Sequence, residues 1–230
     1  MRIQTAAEMS AKLREGHLQF PSLQLASAQK GSGRYLNLGL SGEGRLLIQL
    51  GPIRAPFGIS KSAKYDGLYN IALSLDDPTQ AATIADLDQS VIALLGNHST
   101  QIWGKQYTRE MIEEFYSQTA WQSQTASGSA PLLRVKLATR DNAITTRFYD
   151  AEGKGLRIQQ PEEEIQPEEE MVPKQSTVRI ILSVSSLYFE SEKSCRLAFK
   201  AEQIQILETA TQQGYELDDF AFVDEPSLHA

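Results

Sequence analysis

The feature that most narrows the folds open to this chain is a long pair of alternating segments near its C-terminal end. Residues 177–189 put Val178, Ile180, Leu182 and Val184 on one side, the two-residue period of a strand with one face in a core. A turn follows at 190–194, and the chain returns over 195–207 with Leu197, Phe199 and Ala201 alternating. The apolar positions then jump to Ile204 and Ile206. A change of parity inside one strand requires an extra residue, so the spacing predicts a β-bulge near Glu202.

Shorter segments with the same period precede the hairpin. Leu36, Leu38 and Leu40 alternate over 35–40, a Ser-Gly-Glu-Gly turn occupies 41–44, and 45–50 completes a predicted strand pair. Gly51-Pro52 is expected to stop that pair, with 54–58 as a loop. Tyr69, Ile71, Leu73 and Leu75 share one face of 68–75, and Leu133, Val135 and Leu137 turn inward where Arg134 and Lys136 turn out. A strand at 143–149 is followed by a turn at 150–153.

Between these strands the period changes. Asp76 or Asp77 can cap a helix, Pro78 suits its first turn, and Ile84, Leu87, Val91 and Leu94 recur at helical spacing. A shorter helix is predicted from Thr108, burying Met111, Ile112 and Phe115, with Trp103 and Tyr107 pinning the two helices to the strands. A Gln/Ser/Thr/Ala/Gly linker at 122–130 closes the insertion. About seven short strands with one helical insertion predict a mainly β fold, a barrel or a sandwich. Within that class a five-stranded OB-like barrel with extra strands fits the length best. The expected organisation is an N-terminal extension at 1–33, a barrel domain at 34–208 containing the insertion at 76–121 and an acidic loop at 159–174, and an acidic tail at 209–230.

The charge of −7 at pH 7 is unevenly placed. Six glutamates fall at 162–164 and 168–170, and five acids (Glu216, Asp218, Asp219, Asp224, Glu225) fall in the tail, with no base in either stretch. Without these eleven, 18 acids face 22 bases, a body of about +4. A mildly basic body with two acidic segments suits a polyanion-binding protein better than the net charge suggests. No apolar run is long enough to cross a bilayer, no secretory leader opens the chain, and Cys195 is the single cysteine, which points to a reducing, intracellular compartment.

Catalysis has little to build on. His17, His98 and His229 lack partners at ligand spacing, and Gly31-x-Gly33 and Gly42-x-Gly44 lead into no Gly-Lys-Ser/Thr. No Gly-x-Ser-x-Gly elbow occurs. Asp76-Asp77 and Asp86-x-Asp88 are expected to cap and solvate a helix. The chain is therefore expected to be no enzyme and to use neither metal nor cofactor.

What stands out is the mixing of bases and rings, the combination a single strand needs for its phosphates and splayed bases. It occurs at Arg54 to Lys61 with Lys64 and Tyr65, at Trp103 to Tyr107 with Arg109, and at Arg134 and Lys136 followed by Arg147 and Tyr149. It occurs again where Tyr188 and Phe189 on one hairpin arm face Arg196, Phe199 and Lys200 on the other.

Taken in order, Arg54-Ala-Pro-Phe57-Gly-Ile-Ser-Lys61, the strand ending in Asp-Asp-Pro at 76–78, Trp103-Gly-Lys105, Leu133-x-Val135-Lys136-Leu137, Phe148-Tyr149-Asp150 and Leu187-Tyr188-Phe189 resemble the single-stranded DNA-binding proteins of large nucleocytoplasmic DNA viruses. That group is similar in turn to the OB-fold single-stranded DNA-binding proteins of podophages. The resemblance spans about 51–207. It implies a replication, recombination or repair protein of a DNA virus, in the host cytoplasm or nucleus, that coats exposed strands as a homodimer. On this reading Arg134, Lys136, Arg147, Arg196 and Lys200 meet phosphates, Tyr149, Tyr188 and Phe189 offer rings, and Arg54, Lys61 and Lys64 close over the strand. The resemblance also implies a tail that competes with DNA and contacts polymerase, primase or helicase, here through Asp218, Asp219, Phe220, Phe222 and Asp224. The chain departs from the phage pattern by ending Ser-Leu-His-Ala without a terminal aromatic. The alternative is a viral structural or interaction β-barrel that binds no nucleic acid.

Overall fold

A computed structural model describes residues 2–27, 33–62, 68–122, 129–140, 143–156 and 171–209. Lys64, most of the acidic loop and nearly all of the tail, including Asp218, Asp219, Phe220, Phe222 and Asp224, lie outside the described residues.

Five strands carry the architecture: β1 (Leu46–Ala55), β2 (Tyr69–Ser74), β3 (Leu132–Leu137), β4 (Ser176–Ser191) and β5 (Ser194–Glu208). They pair in the order β1-β2-β3-β5-β4, and β4 pairs back onto β1, so the sheet closes on itself. Every pairing is antiparallel except β3 with β5, where Lys136 meets Lys200 and Leu137 meets Ala201 in parallel register. A closed five-stranded sheet with this order and one parallel pair is the OB arrangement, so the strand order itself bears out the expected fold class.

The core fills the barrel and extends beneath the helices. Val178, Ile180, Leu182 and Val184 of β4, Leu133, Val135 and Leu137 of β3, and Tyr69, Ile71, Leu73 and Leu75 in and after β2 are all buried, as alternation demands. The register between β4 and β5 slips between Ile181, opposite Gln203, and Leu182, opposite Ala201, leaving Glu202 as the extra residue. Sequence parity located this bulge correctly. Its reason is packing: Ala201 and Ile204 must both reach the core from one strand.

Two expectations for the first strands do not hold. Gly51-Pro52 does not end β1, which bulges there and runs on to Ala55, because Pro52 occupies a position where no ladder N–H is needed. Gly51 has φ of 115°, and a Cβ on it would lie 2.6 Å from the Val178 carbonyl oxygen, so glycine alone fits this close approach. Residues 35–40 do not pair with 45–50 either. Arg34–Asn37 adds to the far end of β4, Leu36 opposite Leu187 and Tyr35 opposite Tyr188, while Gly39–Leu40 pairs with Leu18–Gln19. Along 46–50 one edge of β1 is taken by β4 and the other by Gln4 and Thr5, which pair with Ile48 and Gln49, so the leucine-rich segment finds its partner elsewhere.

The insertion between β2 and β3 holds α2 (Pro78–Asn97), α3 (Ser99–Trp103) and α4 (Arg109–Phe115) in the numbering that makes Ala6–Arg14 α1. Asp77 caps α2, accepting from the N–H groups of Thr79 at 2.8 Å and Gln80 at 2.9 Å, and Ile84, Leu87, Val91 and Leu95 form its buried stripe, with the expected Leu94 only partly buried at its margin. Thr108 caps α4, which buries Ile112 and Phe115 but leaves Met111 40% exposed, contrary to expectation, because Met111 lies off the face that packs on α2. Trp103 touches Tyr107, Phe115 and Phe189 edge to face, and its Nε1 donates to the Glu192 carbonyl, so it does pin the insertion to the hairpin.

The N-terminal segment is built into the same core. Gln4 pairs in parallel with Ile48 of β1, and α1 buries Met9 and Leu13. Thr83 Oγ1 on α2 donates to the Ala6 carbonyl at 2.9 Å, and Arg14 pairs with Asp86 at 2.9 Å. The capping box of α1, Thr5 with Glu8, was present in the sequence as the signal for this helix.

Candidate nucleic-acid interface

The outward positions of β2, β3, β5 and β4 border a groove of about 510 Å³. Strand alternation decides what points into it. On β3, Arg134 and Lys136 are the outward pair, opposite Ala72 and Asn70 of β2. On β5, Arg196 and Lys200 turn outward with Ala198 between them. Across the hairpin Arg196 stands opposite Tyr188, which stands opposite Tyr35 on its other side, so one row runs Tyr35, Tyr188, Arg196. Trp121, on the two-residue strand Ala120–Trp121 paired with β3, closes one end.

Arg134, Lys136 and Arg196 therefore line one groove with the rings of Tyr35, Tyr188 and Trp121, and among the described residues no carboxylate lines it. The Arg134 guanidinium lies 5.7 Å from the Trp121 ring centre and the Arg196 guanidinium 6.0 Å from that of Tyr188. Desolvation, then repulsion from Arg196 and Lys200, holds the Lys136 ammonium below its ordinary pKa. Glu190 opposes that shift and forms an ion pair with Arg196 at 2.6 Å at the margin of the groove.

The wall made by residues 117–119 is held from behind. Asp88 of α2 is 6% exposed and accepts from Tyr116 Oη at 2.5 Å, from Thr119 Oγ1 at 2.5 Å and from the Thr119 N–H at 3.0 Å. Burial nevertheless outweighs these bonds and raises its pKa. The expectation that Asp88 only solvates a helix is thus corrected, since its side chain faces inward beneath the groove wall. The backbone of Cys195 pairs with that of Tyr116 in the same region, its carbonyl accepting from the Ser117 N–H at 2.8 Å, and burial pushes its thiol up to about 12. Gly33 approaches the tip of Tyr188 so closely that a Cβ there would fall 2.1 Å from Tyr188 Oη.

The other residues singled out in the sequence fall elsewhere. Phe189 is 3% exposed and packs against Trp103, so it is a core ring and not a stacking platform; a register shift between Val184 and Ser186 reverses the parity of β4 and turns Leu187 and Phe189 inward and Tyr188 outward. Phe199 is buried, although its edge reaches the groove. Arg54 belongs to β1, not to a loop, and pairs with Asp76 at 3.5 Å away from the groove lining. Lys61 ends the short strand Ile59–Lys61, opposite Tyr69 and next to Ser62, which does line the groove. Lys200 is exposed in register with Lys136. Tyr149 lies beside Gln205, beyond the Glu202 bulge, on a separate concavity, and exposed Arg147 stands opposite Gln203 next to that concavity without lining it. Tyr35 and Trp121 are the rings that sequence reasoning did not assign; the alternation at 34–37 signalled the first, and nothing local signalled the second.

Among the described residues no helix is long and apolar enough to cross a membrane, and no group of His, Cys, Asp and Glu is arranged to hold a metal. No protein-family model matches the sequence, and no curated protein matches it. Among solved structures, the gp2.5 single-stranded DNA-binding protein encoded by bacteriophage T7 is similar with a TM-score of 0.47 and 14% identity, over 81% of this chain and 100% of that one. The single-stranded DNA-binding protein of bacteriophage Enc34 is similar with a TM-score of 0.41 and 13% identity, over 85% of this chain and 98% of that one. The same Enc34 protein in complex with single-stranded DNA gives 0.41 and 12%, over 84% and 100%. These scores lie below one half, and the fold assignment rests on the strand order.

Proposed function

We propose that this chain binds single-stranded DNA in a sequence-tolerant way through the groove on β2, β3, β5 and β4, as a non-enzymatic protein of DNA replication, recombination or repair. The observation that carries the reading is the gathering of Arg134, Lys136 and Arg196 with Tyr35, Tyr188 and Trp121 around one concavity free of described carboxylates. Cations neutralise phosphates and rings take bases of any identity, so affinity needs no base-specific contact. Lys200 and Lys61 flank the lining and extend the positive field.

The same reading takes in the further terms of the sequence resemblance: a viral protein working in the host cytoplasm or nucleus, acting as a homodimer. Its acidic tail competes with DNA for the groove and contacts polymerase, primase or helicase. Deleting residues 209–230 then tightens binding, because the tail's carboxylates no longer occupy the cationic groove.

The test is a salt titration of labelled oligothymidylate binding. Three or four neutralised phosphates give a log–log slope of roughly −2 to −3. Trp121 at the groove is the expected reporter of quenching, since Trp103 is packed against Phe189. No binding, or a flat salt response, would instead favour an interaction protein without nucleic-acid binding. A duplex competitor separates single-strand preference from general attraction to phosphate.

A further inference from the structure

A second concavity, of about 250 Å³, lies on the other half of β5 and is lined by Tyr149, Arg179, Gln49, Gln203 and Gln205 among others. Among the described residues it shares no lining residue with the first groove. The sheet places these side chains in two rows. Gln49, Ile181, Gln203 and Arg147 follow one another across β1, β4, β5 and the short strand Arg147–Tyr149, while Arg179, Gln205 and Tyr149 follow one another beside them.

Part of this arrangement is fixed in advance. Arg179 Nη1 donates to Gln205 Oε1 at 3.0 Å, and Gln205 Nε2 donates to the Ala151 carbonyl at 3.0 Å. Among the described residues no side-chain hydrogen bond engages the amides of Gln49 and Gln203, so each keeps donors and an acceptor for a ligand. Among the described residues no acidic side chain lines the site. In the following turn Asp150 accepts from the Lys154 N–H at 2.7 Å, and Glu152 is exposed.

We infer that this concavity is a second contact for a single nucleic-acid strand, holding one base against Tyr149 and the glutamine amides with its phosphate on Arg147 and Arg179. The inference rests on the reading of the first groove. The volume is below the roughly 300 Å³ at which pockets for drug-sized ligands begin, and suits one base better than a run of them. An amide offers a donor and an acceptor together, so it can meet the edge of any base without selecting one.

The two sites are joined by β5 itself. The first uses its residues before the bulge, the second those after it, and exposed Lys200 lies between. Glu202, the acid a strand would have to pass, is paired with Arg45 at 2.8 Å and accepts from Ser183 Oγ at 2.6 Å. Along β5 the separation from Ala198 to Gln203 is roughly 16 Å at the usual strand rise. A strand long enough to cover that distance engages both sites, and the second contact becomes intramolecular.

The test compares oligothymidylates of about two and about twenty nucleotides, below and beyond the roughly 4–16 nucleotides that one such barrel covers. The full chain is used, as wild type, Tyr149→Ala, Arg179→Gln and Arg147→Gln. The expected result is a loss of about tenfold in affinity for the long strand with Tyr149→Ala or Arg179→Gln, no change for the short one, and a salt slope for the long strand shallower by about 0.7 for each arginine removed. Arg147→Gln, at an exposed position outside the fixed hydrogen bonds, gives the slope change even if Arg179→Gln fails to fold. Equal losses at both lengths, or unchanged long-strand binding and slope, would overturn the second site. Wild-type protein that binds neither length would instead remove the first groove, and this inference with it.

Discussion

Lys136 on β3 sits directly opposite Lys200 on β5, in the single parallel pairing of the barrel. Like charges placed directly across a strand pair are destabilising. A chain keeps such a pair at no advantage to its own fold, and a polyanion lying over it turns the repulsion into attraction. Replacing Lys200 by Gln is therefore expected to raise the thermal unfolding temperature slightly and to weaken oligonucleotide binding, with the salt slope shallower by about 0.7. Parallel measurements of melting and binding check it; a variant that loses both stability and affinity would contradict the assignment.

Adjacent Tyr188 and Phe189 are expected to behave oppositely. Tyr188→Ala should reduce binding by roughly 1–3 kcal/mol and leave folding nearly intact, because its ring faces the groove beside Tyr35 and Arg196. Phe189→Ala should cost about 3–5 kcal/mol of stability by opening a cavity next to Trp103, with affinity of the folded fraction retained. Urea unfolding and a binding isotherm for each variant separate the two effects.

Asp88 joins a buried carboxylate to the groove wall, and its titration has a definite sign. Its folded pKa is raised, chiefly by desolvation, above the roughly 3.9 of an unfolded chain. The folded state thus holds the proton more tightly, and the associated stability is present below about 3.9 and lost as pH rises through the folded pKa. Wild type should gain on Asp88→Asn as pH falls through that window, measured by thermal unfolding at a series of pH values. Parallel curves for the two proteins would remove the effect. Asp88→Ala, which leaves Tyr116 Oη and the Thr119 N–H without their acceptor, should cost about 1–3 kcal/mol and loosen residues 117–119.

Much of the barrel was readable because strands announce themselves locally. The parity jump between Ala201 and Ile204 located the bulge, and Asp77-Pro78 and Thr108 marked the helix starts. Pairing was less readable. The segment containing Leu36 alternates equally well whether its neighbour is β1 or β4, and the first option is removed because β4 and the N-terminal residues Gln4–Thr5 occupy both edges of β1 at 46–50. The α1 helix was missed because its buried face is just Met9, Ser10 and Leu13, too narrow to register as a periodic stripe.

The candidate site divides the same way. Alternation alone turned Arg134 and Lys136 outward, and the hairpin register brought Tyr188 to Arg196. Nothing local separated Tyr188 from Phe189 as ring candidates, moved Arg147 and Tyr149 to the far half of β5, or brought Trp121 beside Arg134. The sequence determined which side faces water wherever a strand keeps its two-residue period, as at Arg134 and Lys136, but not past the register shift between Val184 and Ser186 that turns Tyr188 outward and Phe189 inward. Which outward faces become neighbours was decided by the closed sheet and its bulge, because adjacency depends on pairings between residues far apart in the chain, whose free energy is shared by the whole core.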